Sequence, residues 1–165
     1  MKHEEGGRRK VFKQLVLPLS RLSLSIVFFL AAWPKIVDPA GFATDIENYA
    51  IVPKVLVNLM ALTLPWVEFM AALALVLGTV AEFKSGSPLA RGAALLCLVL
   101  LGIFIVAIAS AVYRDLDITC GCFGHSGGRK AGFKALAEDG GFLILAVISL
   151  LPIRKRLNPR SARTE

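Results

Sequence analysis

Apolar residues gather in four long windows separated by short stretches rich in charge, Gly and Pro. They run over 15–33, 55–80, 89–113 and 133–153. None alternates with the period of two that a membrane strand needs. A hydrocarbon core of about 30 Å takes roughly 20 helical residues, so each window is long enough to span. The pattern predicts an all-α protein, a single four-helix transmembrane bundle over 15–153, with polar basic tails at 1–14 and 154–165. The first window follows basic residues as a secretory signal would. Its apolar run is too long, however, and no small-x-small cleavage site precedes Trp33-Pro34-Lys35, so a retained helix is expected.

The connections carry patterns of their own. In 34–54, Phe42, Ile46 and Tyr49 share one helical face, while Asp45 and Glu47 are expected to point elsewhere. A short amphipathic helix is predicted there, opened by Pro39 and closed by Pro53. Residues 81–88 read as a short loop. Residues 114–132 are polar and Gly-rich, and contain Thr119-Cys120-Gly121-Cys122-Phe123-Gly124-His125.

Composition adds little to hydropathy, but charge placement adds orientation. Hydrophobic residues make up 56% of the chain, and the net charge is +7. The two tails, with Lys84 and Arg91 on the same side, hold 12 of the 19 Lys and Arg residues. Lys35, Lys54, Arg114, Arg129, Lys130 and Lys134 fall on the opposite side, and Arg21 lies within the first window. The positive-inside rule then puts both termini in the cytoplasm, in a cell membrane, and the 34–54 and 114–132 loops outside. Anionic lipid accounts for the basic tails, and no nucleic-acid partner is expected.

Cys120 and Cys122 are the candidate chemistry. Outside the cytoplasm a disulfide can persist. Two residues apart, with Gly121 between them, the pair can approach bonding distance, in a strained and easily reduced ring. Dithiol–disulfide exchange, a structural bridge and a metal site all fit a Cys-x-Cys pair. With His125 the pair supplies only three ligands where structural zinc takes four, so no metal is assigned. His125 and Arg114 are candidates for stabilising a thiolate. Cys97 reads as a small core residue.

Arg21 and Glu68 lie inside apolar windows, where ionisable groups are costly and normally paired. Antiparallel helices put them within roughly 7 Å in depth, which predicts an Arg21–Glu68 ion pair. With Trp66 as an aromatic wall, they also form a candidate intramembrane polar or quinone site.

The segments Trp33-Pro34-Lys35-Ile36-Val37-Asp38-Pro39, Leu64-Pro65-Trp66-Val67-Glu68 and Cys120-Gly121-Cys122-Phe123-Gly124 resemble the MauE branch of the DoxX-like membrane proteins. The resemblance covers about residues 15–152. Where that family has an Arg-Asn pair entering the last span, this chain reads Glu138-Asp139-Gly140-Gly141. The resemblance implies a redox-associated membrane protein supporting the maturation of methylamine dehydrogenase, whose small subunit is rich in disulfides. It implies a thioredoxin-like or exported disulfide-containing partner, and quinone as the electron acceptor. A thiol–disulfide oxidoreductase is the leading reading. A non-catalytic docking factor and a small-solute transporter are the rivals.

Overall fold

The computed structural model describes residues 15–116 and 133–152. Five helices make up the described chain, with no strand: α1 (Leu17–Val37), α2 (Pro39–Asn48), α3 (Lys54–Ser85), α4 (Leu89–Tyr113) and α5 (Phe133–Ser149). Three of them, α1, α3 and α4, are long and apolar enough to cross a membrane. α5 has 17 residues, about 26 Å at helical rise, and carries Lys134, Glu138 and Asp139 near its start.

α1 packs on α3 and α5, and α4 fills the remaining sides of both. The interior is built from small residues: Ala71 and Ala72 of α3, Ala93, Ala94 and Cys97 of α4, and Ala146 of α5, around Leu24, Phe28 and Leu75. The large aliphatics point outward instead, including Leu30, Leu59, Leu62, Val99 and Val106. In water that outer surface would be a continuous apolar patch. In lipid it costs nothing, and small interior residues let helix backbones approach. Apolar exterior and close-packed interior are those of a membrane protein.

One approach is unusually close. A Cβ on Gly78 would lie 2.5 Å from the Ala90 nitrogen and 2.8 Å from its Cα. Backbone cannot yield as a side-chain tip can. Gly78→Val should cost about 1–3 kcal/mol by overpacking, read as a lower midpoint in a denaturing-detergent titration. Gly92→Ala, where an added Cβ meets nothing within 4 Å, should leave the midpoint unmoved.

Element boundaries depart from the hydropathy pattern in two places. α1 does not stop at Trp33-Pro34 but runs through Pro34 to Val37, so Lys35 is a helical residue and not a loop charge. α3 likewise absorbs most of 81–88, ending at Ser85, with Gly86 in the left-handed conformation at φ 75° and ψ 21°. Glycine takes that conformation without strain and closes the helix. Only Gly86–Pro88 connect α3 to α4. At 32 residues, or about 48 Å, α3 is longer than a bilayer core is thick.

α2 is the short amphipathic helix expected from Phe42 and Ile46. Asp38 caps it, its Oδ1 accepting from the Gly41 N–H at 2.9 Å, and Pro39 occupies the first turn. Such a cap contributes about 1 kcal/mol. Phe42 and Ile46 bury against Val57 and Ala61 of α3. Asp45 departs from expectation, being buried with 1% exposure.

Candidate functional site

Arg21 and Glu68 do not pair. Arg21, 1% exposed, donates from Nη1 to Glu82 Oε2 at 2.7 Å. Its Nε reaches the Ser149 carbonyl and its Nη2 the Leu151 carbonyl, both at 3.0 Å. One guanidinium thus joins α1 to the end of α3 and satisfies carbonyls at the C-terminus of α5, which the helix leaves without partners. Ser20 and Ser149 hydroxyls lie 3.3 Å apart beside it.

Glu68 pairs with Lys35. Lys35 Nζ donates to Glu68 Oε1 at 2.9 Å and Oε2 at 3.0 Å, and both side chains are 1% exposed. The ammonium also lies 5.0 Å from the Phe42 ring centre and 4.7 Å from that of Phe104. Aromatic faces add cation–π attraction to a charge already held by a carboxylate.

The two pairs share one antiparallel register. Arg21 and Lys35 are 14 residues apart on α1, as are Glu68 and Glu82 on α3. Fourteen residues are close to four turns, about 21 Å, so each set stays on one helical face. The matched spacing was present in the sequence. It was hidden because Lys35 and Glu82 appeared to lie in loops.

Trp66 belongs to neither pair. Two residues from Glu68, it turns about 200° away from it. It is 52% exposed, contacts Phe69 edge-on, and borders an outward-facing groove with Met70 and Leu96. Arg21, Trp66 and Glu68, expected together, therefore stand in three different surroundings.

The Lys35–Glu68 pair instead borders a cavity of about 30 Å³ with Phe28, Phe104 and Asp139. Asp139, 8% exposed, is buried there, and its Oδ2 has no hydrogen-bond partner among the described residues. Sequence reasoning did not assign Lys35, Glu82 or Asp139 to a site. A larger apolar cavity of about 540 Å³ lies between α2, α3 and α4, lined by Phe42, Asp45, Tyr49, Leu64, Ile103 and Phe104 among others.

Arg114 is exposed at the end of α4, where its guanidinium bonds the Ser110 and Tyr49 carbonyls and so ties α4 to the end of α2. Cys97 is fully buried in the core. Cys120, Cys122 and His125 lie outside the described residues. No cluster of three His, Cys, Asp or Glu able to hold a metal occurs among the described residues.

The family model described as "Methylamine utilisation protein MauE" matches residues 13–152. A methylamine utilization protein MauE from Paracoccus denitrificans is 32% identical over 68% of this chain and 56% of its own length. Another, from Methylorubrum extorquens, is 32% identical over 88% of this chain and 75% of its own length. The matched stretch thus spans little more than half of the first relative. No solved structure matches.

Proposed function

From the premise that this chain belongs to the MauE family, we propose that it is a membrane-embedded maturation factor that exchanges disulfides with an exported protein in methylamine utilisation. The observation that carries the reading is the Cys-Gly-Cys pair, Cys120 and Cys122, within the family-matched region 13–152. α5 serves as the fourth span, both termini lie in the cytoplasm, and the Cys-Gly-Cys loop lies outside. The burial of Lys35 on Glu68 supports that orientation, because it removes one positive charge from the outer count.

In the exchange, the Cys120–Cys122 disulfide accepts two electrons from a partner dithiol. A partner thiolate attacks one sulfur and forms a mixed disulfide. The second partner thiolate then resolves it, leaving the partner oxidised and Cys120 and Cys122 as a dithiol. The partner is a thioredoxin-like protein or the exported disulfide-containing protein itself. A quinone is the proposed acceptor for regenerating the disulfide. The 540 Å³ cavity has the size and apolar lining of a ligand pocket, with Asp45 and Tyr49 as polar groups on its wall. The groove beside Trp66, of about 440 Å³, opens outward instead of enclosing a ligand. A transporter gains no support, since Arg21 and Glu68 are each neutralised by other residues.

Single Cys120→Ser and Cys122→Ser variants test the reading. Each should abolish maturation of the exported partner, and one should accumulate a mixed disulfide visible as a mass shift on a non-reducing gel. Survival of maturation in both variants would leave a docking factor as the function. A Cys120–Cys122 potential below about −300 mV would mark a stable structural bond and rule out exchange.

A further inference from the structure

We propose that Asp139, together with the Lys35–Glu68 pair, forms a proton-binding site inside the bundle, with one exchangeable proton held on Asp139. The site is built from three helices: Lys35 from α1, Glu68 from α3 and Asp139 from α5, all lining one cavity of about 30 Å³. This inference rests on the described residues alone and does not depend on the chemistry of the cysteines.

Charge counting leads to the proton. Lys35 gives both of its short hydrogen bonds to Glu68, which completes that pair. Lys35 is the cation that lines this cavity, and Glu138, the residue before Asp139 on α5, adds another acid rather than a second cation. α4 contributes only Leu101 and Phe104 to the cavity wall. Asp45 of α2 lines the adjoining cavity, which shares Phe104, and it brings another carboxyl group rather than a cation. One ammonium therefore serves at least two carboxyl groups in a region where an uncompensated charge is costly. A proton on Asp139 removes the excess.

Geometry makes that proton exchangeable. Asp139 Oδ2 is shielded from solvent and bonded to nothing among the described residues. The cavity volume of about 30 Å³ exceeds the minimum a water needs, and Lys35, Glu68 and Asp139 supply the polar partners such a water takes. In the exchange the Asp139 O–H bond breaks, the proton passes to water as hydronium, and a carboxylate remains within reach of the Lys35 charge. Reprotonation reverses the step.

Infrared spectroscopy of the full chain in lipid nanodiscs at neutral pH reads the protonated state directly. The wild type should show the carbonyl stretch of a buried carboxylic acid, shifted in D₂O. Asp139→Asn, nearly isosteric, should lose the band, and Glu138→Gln should keep it. Lys35→Met removes the ammonium and should enlarge the band about twofold, because Glu68 then takes a proton as well. If Lys35→Met does not fold, the Asp139 and Glu138 variants decide the matter by themselves. A wild type without the band, or an Asp139→Asn protein that retains it, overturns the proposal. A band that disappears when sodium replaces choline at constant pH also overturns it, in favour of a small-cation site.

Discussion

Arg21→Met should lower stability by about 3–5 kcal/mol, the usual cost of breaking a buried ion pair by removing one partner. The loss has two parts. Glu82, 2% exposed, loses a partner at 2.7 Å, while Arg91 stands 4.0 Å away and is 42% exposed. The Ser149 and Leu151 carbonyls lose their donors at the same time. Arg21→Lys keeps the charge but cannot reproduce a planar fork reaching three acceptors, so it should recover only part of the loss. Denaturing-detergent titration of helicity, with the midpoint compared across the three proteins, measures this. Equal midpoints for wild type and Arg21→Met would show that the pair does not hold α1, α3 and α5 together.

Lys35→Met alone, or Glu68→Leu alone, should cost a similar 3–5 kcal/mol, each leaving a buried ionisable group that has lost its counter-charge and must change protonation state or stay charged in the interior. The double variant should recover most of that. Two apolar side chains of similar volume replace an ion pair whose desolvation cost already offset much of its attraction. The residual loss should include the cation–π contacts to Phe42 and Phe104, about 0.5–2 kcal/mol. A thermodynamic cycle over the four proteins isolates the coupling. A double variant no more stable than either single one would mean that Lys35 and Glu68 act separately. Because the pair also borders Asp139, the cycle is best run in the Asp139→Asn background as well, where the proton proposed there is absent.

The two sets of variants act at opposite ends of the α1–α3 contact. Four helical turns separate them, so their effects should add, as distant sites without shared partners do. Together the pairs set the register of two otherwise featureless apolar helices. A slide of one turn would break both at once.

Much of this was legible in the chain. The apolar windows located all three long helices, because burial in lipid requires runs of apolar residues whatever their partners are. Phe42 and Ile46 gave α2 through their helical spacing, and Asp38-Pro39 marks its start chemically. The family resemblance rested on short motifs, and both Lys35 and Glu68 lie within two of them.

The pairing of charges was not legible, and the reason is physical. Hydropathy ends a helix where polar residues begin, yet helices continue past the apolar region wherever backbone hydrogen bonding and a partner charge allow. Glu82 and Lys35 therefore looked like loop residues, and Arg21 was left with Glu68 as its nearest candidate. Trp66 and Glu68 looked like one site because they are adjacent in sequence, although two residues on a helix face opposite ways. Membrane helices, and which residues could span, follow from local composition and need no knowledge of neighbours. Which charges meet depends on the rotation and register of α1, α3 and α5 against one another, and only their packing decides it. That packing brings Asp139 into a cavity with Lys35 and Glu68, which lie more than 70 residues earlier in the chain.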